Sequence, residues 1–356
     1  MSYFNYICRQ MTMTERIRPA AGRMERVGEI DFMKCVCILL MVVFHIIYIG
    51  DTYPTAKLFV YTFHMPVFLI ISGWLTTVGK SPRDFVRHVW WIFVPYAVME
   101  VAYASAATMM PVREAVGELS LGMLVGCVFV SPVGPYWYLH TLIVCLLVTD
   151  GVARVRAFAA RGGSRWSFGL LTELIVSGVL LGAVGQRLFG GSFAANSMYF
   201  LAGFALRRCG ISFTSVFRPS WLAPMAVAVI VAVGGEAVMD RAVTGGVMIV
   251  GLMMSTMAAV YGLTAGRLRA AALYIGRNTL VILLFSPIFT ALAKLWQPWF
   301  VTVDRTGMTF MLVTLTVAVA GSLGIARLMD IVGVARWMGI PSPKTHPNPP
   351  KGRELD

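Results

Sequence analysis

Residues 31–49 read Asp31-Phe-Met-Lys34-Cys-Val-Cys-Ile-Leu-Leu-Met-Val-Val-Phe-His45-Ile-Ile-Tyr-Ile49. Ten consecutive apolar residues separate Lys34 from His45, and four more follow the histidine. A helix this apolar all round has no face to offer water. Its length suits a bilayer crossing, which takes roughly 17–25 mostly apolar residues. Ionisable side chains in such a segment are costly and mark it as functional. At about 100° and 1.5 Å per residue, Lys34 and His45 fall within roughly 20° of one another on one face, about 16 Å apart along the axis. Asp31 lies one turn before Lys34 and can pair with it. One stripe of one helix therefore carries an acid–base pair at one end and an imidazole near the other.

The rest of the chain is of the same kind. Of 356 residues, 58% are apolar and only 13% charged, and mean hydropathy is +0.74. That much apolar surface cannot be hidden in one or two soluble cores, and it excludes a disordered chain. Ten segments have the length and apolarity of spans: Phe32–Ile49, Lys57–Gly79, Arg87–Met110, Tyr136–Ala153, Phe168–Leu188, Phe193–Cys209, Trp221–Asp240, Gly246–Ala265, Tyr274–Leu295 and Met308–Asp330. Leu119–Ser131 is apolar but short and holds Gly122, Gly126 and Ser131, so it reads as an interfacial or re-entrant piece. With the N-terminus inside and the spans alternating, 24 of the 30 Lys and Arg residues fall on the cytoplasmic side. That bias is the positive-inside rule. The expected fold is an all-α polytopic membrane helix bundle of about ten transmembrane helices with both termini cytoplasmic.

Three regions follow. Residues 1–31 form a cytoplasmic N-terminal segment, 32–331 the transmembrane domain, and 332–356 a cytoplasmic tail. The tail's end, Pro341–Asp356, holds five prolines and three cations, a composition expected to be disordered. Arg16, Arg18, Arg23 and Arg26 with no apolar stretch argue against a cleavable signal peptide in the first 30 residues. The net charge of +13 sits in short loops between apolar runs, so the expected partner is the lipid bilayer and not nucleic acid. Cys8, Cys35, Cys37, Cys127, Cys145 and Cys209 lack the spacing of a zinc set and read as small reduced hydrophobes. No metal is expected, and no internal repeat is visible.

Further polar residues stand inside the spans. The second span reads Phe63-His64-Met65-Pro66, then Ser72-Gly73-Trp74. His64 is roughly 10 Å below the outer surface and His45 roughly 6 Å, so the two imidazoles are at depths compatible with one cavity. Pro66 frees a backbone carbonyl near His64. Ser72-Gly73 permits close helix packing. Arg83 and Arg87 are i,i+4 neighbours at the cytoplasmic end of the third span. They read either as topology-setting cations or as a fork for the phosphates of a soluble ligand. Lys34 likewise reads as a snorkelling cation or as a ligand contact. Glu100 lies within the third span and needs a partner, and Asp150 and Glu173 are further acids in or near spans that the sequence does not pair.

The pattern Glu29-Ile-Asp31-Phe-Met-Lys34, ten residues, then His45 resembles the first-helix signature of the acyltransferase-3 superfamily of integral membrane acyltransferases. Phe63-His64-Met65-Pro66-Val-Phe68 with Ile71-Ser72-Gly73 resembles the second-helix motif of its fucose 4-O-acetylase-like branch. Arg87 with Pro95-Tyr96, Pro135-Tyr-Trp137-Tyr-Leu139, and Ile275-Gly276-Arg-Asn278-Thr279-Leu280 resemble the patterns of its third, fourth and ninth helices. Lys34 stands where many members have Arg, Trp90-Trp91 follow Arg87, and Ser286 stands where the ninth-helix pattern commonly ends in His.

The resemblance implies a multi-pass enzyme of the plasma membrane. It implies transfer of an acetyl or other short acyl group from acetyl-CoA, as co-substrate, to a hydroxyl of a carbohydrate or lipid-linked acceptor. The expected roles are His45 as general base, since its ordinary pKa is near 6.5; His64 to orient the acceptor or stabilise the oxyanion; and Lys34, Arg87 and Arg83 on the CoA phosphates, with Asp31 fixing Lys34. An acyl-histidine route through His45 stays open. Two other classes fit ten spans with buried His and acids. One is a secondary transporter of a glycan or lipid precursor, although no matched pair of broken helices marks two halves. The other is a non-catalytic membrane scaffold of the same fold.

Overall fold

The computed structural model describes residues 27–109, 120–161 and 169–334. Among them the chain is helical throughout, with no strand. The N-terminal segment up to residue 26 with Cys8, residues 110–119 of the third-to-fourth span loop, and the tail Pro341–Asp356 lie outside the described residues.

Helix α1 is Gly28–His45, α2 Ile47–Thr52, α3 Pro54–Leu75, α4 Pro82–Met109, α5 Leu121–Phe129 and α6 Trp137–Arg161. Helix α7 (Leu170–Val179) continues through a π-helical turn, Leu180–Val184, into α8 (Gly185–Phe189). Then follow α9 Gly191–Arg208, α10 Phe213–Val216, α11 Leu222–Gly234, α12 Thr244–Leu263, α13 Gly266–Arg277, α14 Thr279–Leu292, α15 Gln297–Val303 and α16 Met308–Val332. A helix thus occupies each of the ten segments. Five are long and apolar enough to cross a membrane by themselves: Pro54–Leu75, Pro82–Thr108, Leu170–Phe189, Thr244–Leu263 and Met308–Val332. Gly266–Arg277 and Thr279–Leu295 qualify only as a bent pair, which makes six. Helix α1 has 18 residues, but its first two turns carry Glu29, Asp31 and Lys34. Helix α5 has nine residues, about 14 Å, less than half of a hydrocarbon core of about 30 Å.

The chain divides into two compact units: Met1–Cys37, Leu58–Gly79 and Leu147–Arg277 in the first; Ile38–Lys57, Lys80–Leu146 and Asn278–Asp356 in the second. Helix α1 contributes to both.

In the first unit, α3 and α9 touch backbone to backbone. A Cβ at Gly73 would lie 2.0 Å from the Phe200 carbonyl oxygen, and one at Gly203 would lie 1.9 Å from that of Ile70. Small residues let membrane helices approach this closely, so Gly73 has the packing role read from the sequence. Thr62 on α3 donates to the Met239 carbonyl at 2.6 Å. At the other end, the fully buried Glu173 carboxylate of α7 receives Arg208 of α9 through Nε (3.0 Å) and Nη2 (2.8 Å). Arg156 of α6 approaches the same carboxylate at 2.8 Å. Asp150, also buried, pairs with Arg154 one turn on. Gly203→Ala tests the glycine contact. Alanine is the better helix former by about 1 kcal/mol, yet here its Cβ meets fixed backbone. The expected result is a net loss of about 1–3 kcal/mol, read from thermal unfolding in detergent; a stabilised variant would contradict the contact.

The second unit is held by polar groups placed where helices are interrupted. The buried Tyr96, beside Pro95 on α4, donates to the Val128 carbonyl of α5 at 2.8 Å. Glu100, one turn further on, accepts the Val133 N–H at 2.5 Å. Tyr136, in the single 3-10 turn that opens α6, donates to the Leu284 carbonyl at 2.9 Å. That carbonyl lies beside the stretch of α14 disturbed by Pro287. Ser286 is buried next to it. Near the second unit's other end, Asp304 accepts from the backbone N–H and hydroxyl of both Thr306 and Thr309. Those bonds favour its charged form and hold its carboxyl well below the usual carboxylate range.

Candidate active site

Asp31 lies in the first turn of α1, where the helix dipole favours an acid. Its pair with Lys34 forms at 2.8 Å between Nζ and Oδ1. A third member joins them. Arg277, the last residue of α13, brings Nε to 3.2 Å from Asp31 Oδ2. It sits where the helix dipole favours a cation. Gly276 makes this possible: a Cβ there would lie 1.8 Å from the Asp31 carbonyl oxygen, so only glycine lets α13 reach the backbone of α1. Two cations thus share one carboxylate within the first unit.

His64, also in the first unit, is 3% exposed. Its Nδ1 lies 2.8 Å from the Val60 carbonyl, and the Tyr61 ring lies 5.1 Å away. A carbonyl can only accept, so Nδ1 carries the proton and Nε2 of the neutral ring carries the lone pair. Pro66, inside α3, has no N–H for the Thr62 carbonyl one turn back.

In the second unit, His45 is the last residue of α1 and is partly buried. Its Nδ1 lies 2.7 Å from the Met41 carbonyl, which again fixes the proton on Nδ1 and leaves Nε2 of the neutral imidazole as the basic nitrogen. Ile46, with φ −70° and ψ 107°, is extended, and the helix restarts at Ile47. His45 therefore stands at a break in the span. Among the described residues it shares one uninterrupted helix with Lys34.

Arg83 and Arg87 are both exposed on the first turns of α4. The local sequence starts the helix there. Pro82 holds its first position, suited to the missing N–H. The Ser81 hydroxyl accepts the Asp84 N–H at 3.2 Å and donates to the Asp84 carboxylate at 2.6 Å, an N-terminal cap. The structure therefore joins Asp31 to Lys34, sets Arg83 and Arg87 one turn apart on one exposed face, and gives the two histidines to different units. Among the described residues no group of three or more His, Cys, Asp or Glu could hold a metal ion. The five described cysteines are unbridged.

Two features have little signal in the sequence. Arg277 is one of the 24 Lys and Arg residues that fall on the cytoplasmic side, and its position inside the Gly276-Arg-Asn278 pattern is the one sign of a further role. The break after His45 has no glycine or proline to announce it.

The family model of the acyltransferase-3 type, described as an acyltransferase domain, matches residues 27–327. The chain belongs to the acyltransferase-3 superfamily. No curated protein and no solved structure matches it. The match begins just before α1 and runs almost to the end of α16, so it takes in every helix that carries a candidate residue. This acyltransferase is a multi-pass membrane protein: several of its helices are apolar and long enough to cross a bilayer, and its family is one of integral membrane enzymes.

Proposed function

We propose that the enzyme moves an acetyl or other short acyl group from acyl-CoA to a hydroxyl of a cell-surface glycan or related lipid-linked acceptor, and that it works in the plasma membrane. His45 carries this reading. Its Nδ1–H is committed to the Met41 carbonyl, it ends a helix whose cytoplasmic part bears Lys34, and its remaining ring nitrogen is the one a general base needs. The matching topology has ten spans and both termini in the cytoplasm, and the 24-to-6 distribution of Lys and Arg supports it.

An alcohol is a poor nucleophile at neutral pH. As the acceptor oxygen attacks the thioester carbonyl carbon, its proton passes to Nε2 of His45. The tetrahedral intermediate then breaks its C–S bond, and the imidazolium returns the proton to the departing CoA sulfur. His64 orients the acceptor: a neutral ring with Nδ1–H bound to Val60 presents Nε2 as an acceptor for a hydroxyl, whereas oxyanion stabilisation would need its protonated form. Lys34, fixed by Asp31 in the first unit, takes CoA phosphate, and Arg83 and Arg87 are the cations of the second unit given the same role. The roughly 16 Å of α1 between Lys34 and His45 is a span that an extended pantetheine arm covers.

Surface glycans from cells with and without the gene, compared by mass spectrometry, test the acceptor class. A missing ester in the deleted strain is expected; an identical ester content in all surface glycans would contradict it. For Arg87→Ala the expected result is a KM for acyl-CoA raised about tenfold, the scale of one charge-assisted hydrogen bond, with kcat nearly unchanged. An unchanged KM would return Arg87 to a purely topological role.

A further inference from the structure

The pairing of Asp31 leaves a surplus. Lys34 and Arg277 together carry two positive charges, and the carboxylate between them cancels one. Both cations are about four-fifths buried, with side-chain exposures of 19% and 22%, so the remaining charge is only partly screened by solvent. Their donors are also only partly used. Arg277 spends Nε on Asp31, and among the described residues its two terminal nitrogens engage no acceptor. A guanidinium has five N–H donors and an ammonium three. Among the described residues the pair therefore keeps four on Arg277 and two on Lys34, held by one rigid anchor. Close backbone contact at Gly276 fixes the fork relative to α1. Another cation, Arg269, lies over the Tyr261 ring at 4.8 Å, and Tyr261 packs on Phe32 at 5.7 Å, next to Asp31. The ligand that fits is an anion with several oxygens and more than one charge. A terminal phosphomonoester has three acceptor oxygens and a charge of about −1.5 to −2 at neutral pH. Each phosphorus of an internal diphosphate carries a single charge.

We propose that Arg277 and Lys34, tied together by Asp31, form a clamp for a terminal phosphomonoester, the 3′-phosphate of CoA, and that this clamp distinguishes CoA from 3′-dephospho-CoA. The proposal rests on the reading of acyl-CoA as donor. It adds Arg277 to the binding residues and gives the clamp a specific part of the donor. A fork on Arg277 takes two oxygens of the phosphate, and Lys34 takes the third.

The test is calorimetric binding of CoA and of 3′-dephospho-CoA to the purified enzyme in phosphatidylcholine nanodiscs, which contain no lipid phosphomonoester to compete. Wild-type enzyme should bind CoA about 10–100-fold more tightly, the scale of one or two charge-assisted hydrogen bonds. Arg277→Gln should remove most of that ratio while leaving the affinity for 3′-dephospho-CoA nearly unchanged, and Arg277→Lys should restore part of it. A purely structural role would weaken both ligands together. Equal binding of the two ligands by wild-type enzyme overturns the clamp and leaves the donor reading intact, and that arm needs no variant to fold. An unchanged ratio in Arg277→Gln also overturns it. Binding of neither ligand by folded wild-type enzyme overturns the donor reading itself.

Discussion

Replacing His45 with alanine is expected to lower acyl turnover by about 10²–10⁴-fold, the usual contribution of a positioned general base, without unfolding the protein. The imidazole is the last residue of its helix, and its Nδ1 donates to the Met41 carbonyl one turn earlier. Losing it therefore removes a basic nitrogen while the helix can keep its course. The loss should appear in kcat, because the base acts in the transition state and not in donor binding. His45→Gln separates the two functions of the ring: an amide can still donate to the Met41 carbonyl but cannot accept a proton at neutral pH, so it should be as slow as alanine. A variant with near wild-type kcat would remove His45 from the chemistry.

Replacing Glu173 with glutamine or alanine is expected to cost about 3–5 kcal/mol of stability, the range for breaking a buried ion pair by removing one partner. The carboxylate is completely buried, and Arg156 and Arg208 both converge on it. Without it, two guanidiniums about three-quarters buried face one another with no counter-charge, at the junction of α6, α7 and α9. Thermal unfolding in detergent should show the loss. The activity of the molecules that remain folded should be close to normal, since Glu173 has no part in the proposed chemistry. Glu173→Asp, which keeps the charge on a shorter arm, should lose less. An unshifted unfolding midpoint in the alanine variant would show that the cluster does not hold these helices.

The contrast between His45 and Glu173 shows what the sequence made legible. A ten-residue apolar gap between Lys34 and His45 is a local pattern, and helical geometry turns it directly into a shared face. The Asp31–Lys34 pair is local for the same reason. Glu173 could be seen as an acid in or near a span, but its partners come from two other helices, one of them 35 residues away. Arg277 reaches Asp31 across 246 residues of sequence. Such pairings are tertiary facts, and residue type cannot choose among 30 cations. The all-helical class was written in the composition. The number of helices apolar enough to cross a bilayer alone was harder to read, because charges such as Glu29, Asp31 and Lys34 lower the apolarity of α1 at its start. The break after His45 was invisible because Ile46 is an ordinary helix residue in any propensity scale, and only the surrounding packing makes it extended.

The central chemistry proposed for this enzyme is acyl transfer from CoA with His45 as base. The direct measurement is release of CoA thiol from acetyl-labelled CoA by purified protein in lipid vesicles, followed together with the appearance of the label as an oxygen ester. Thiol release that vanishes in His45→Ala, with the label recovered as an ester, is the predicted result. A folded wild-type protein that releases no thiol, or that carries a glycan precursor across the vesicle while the acetyl group stays on CoA, would contradict it.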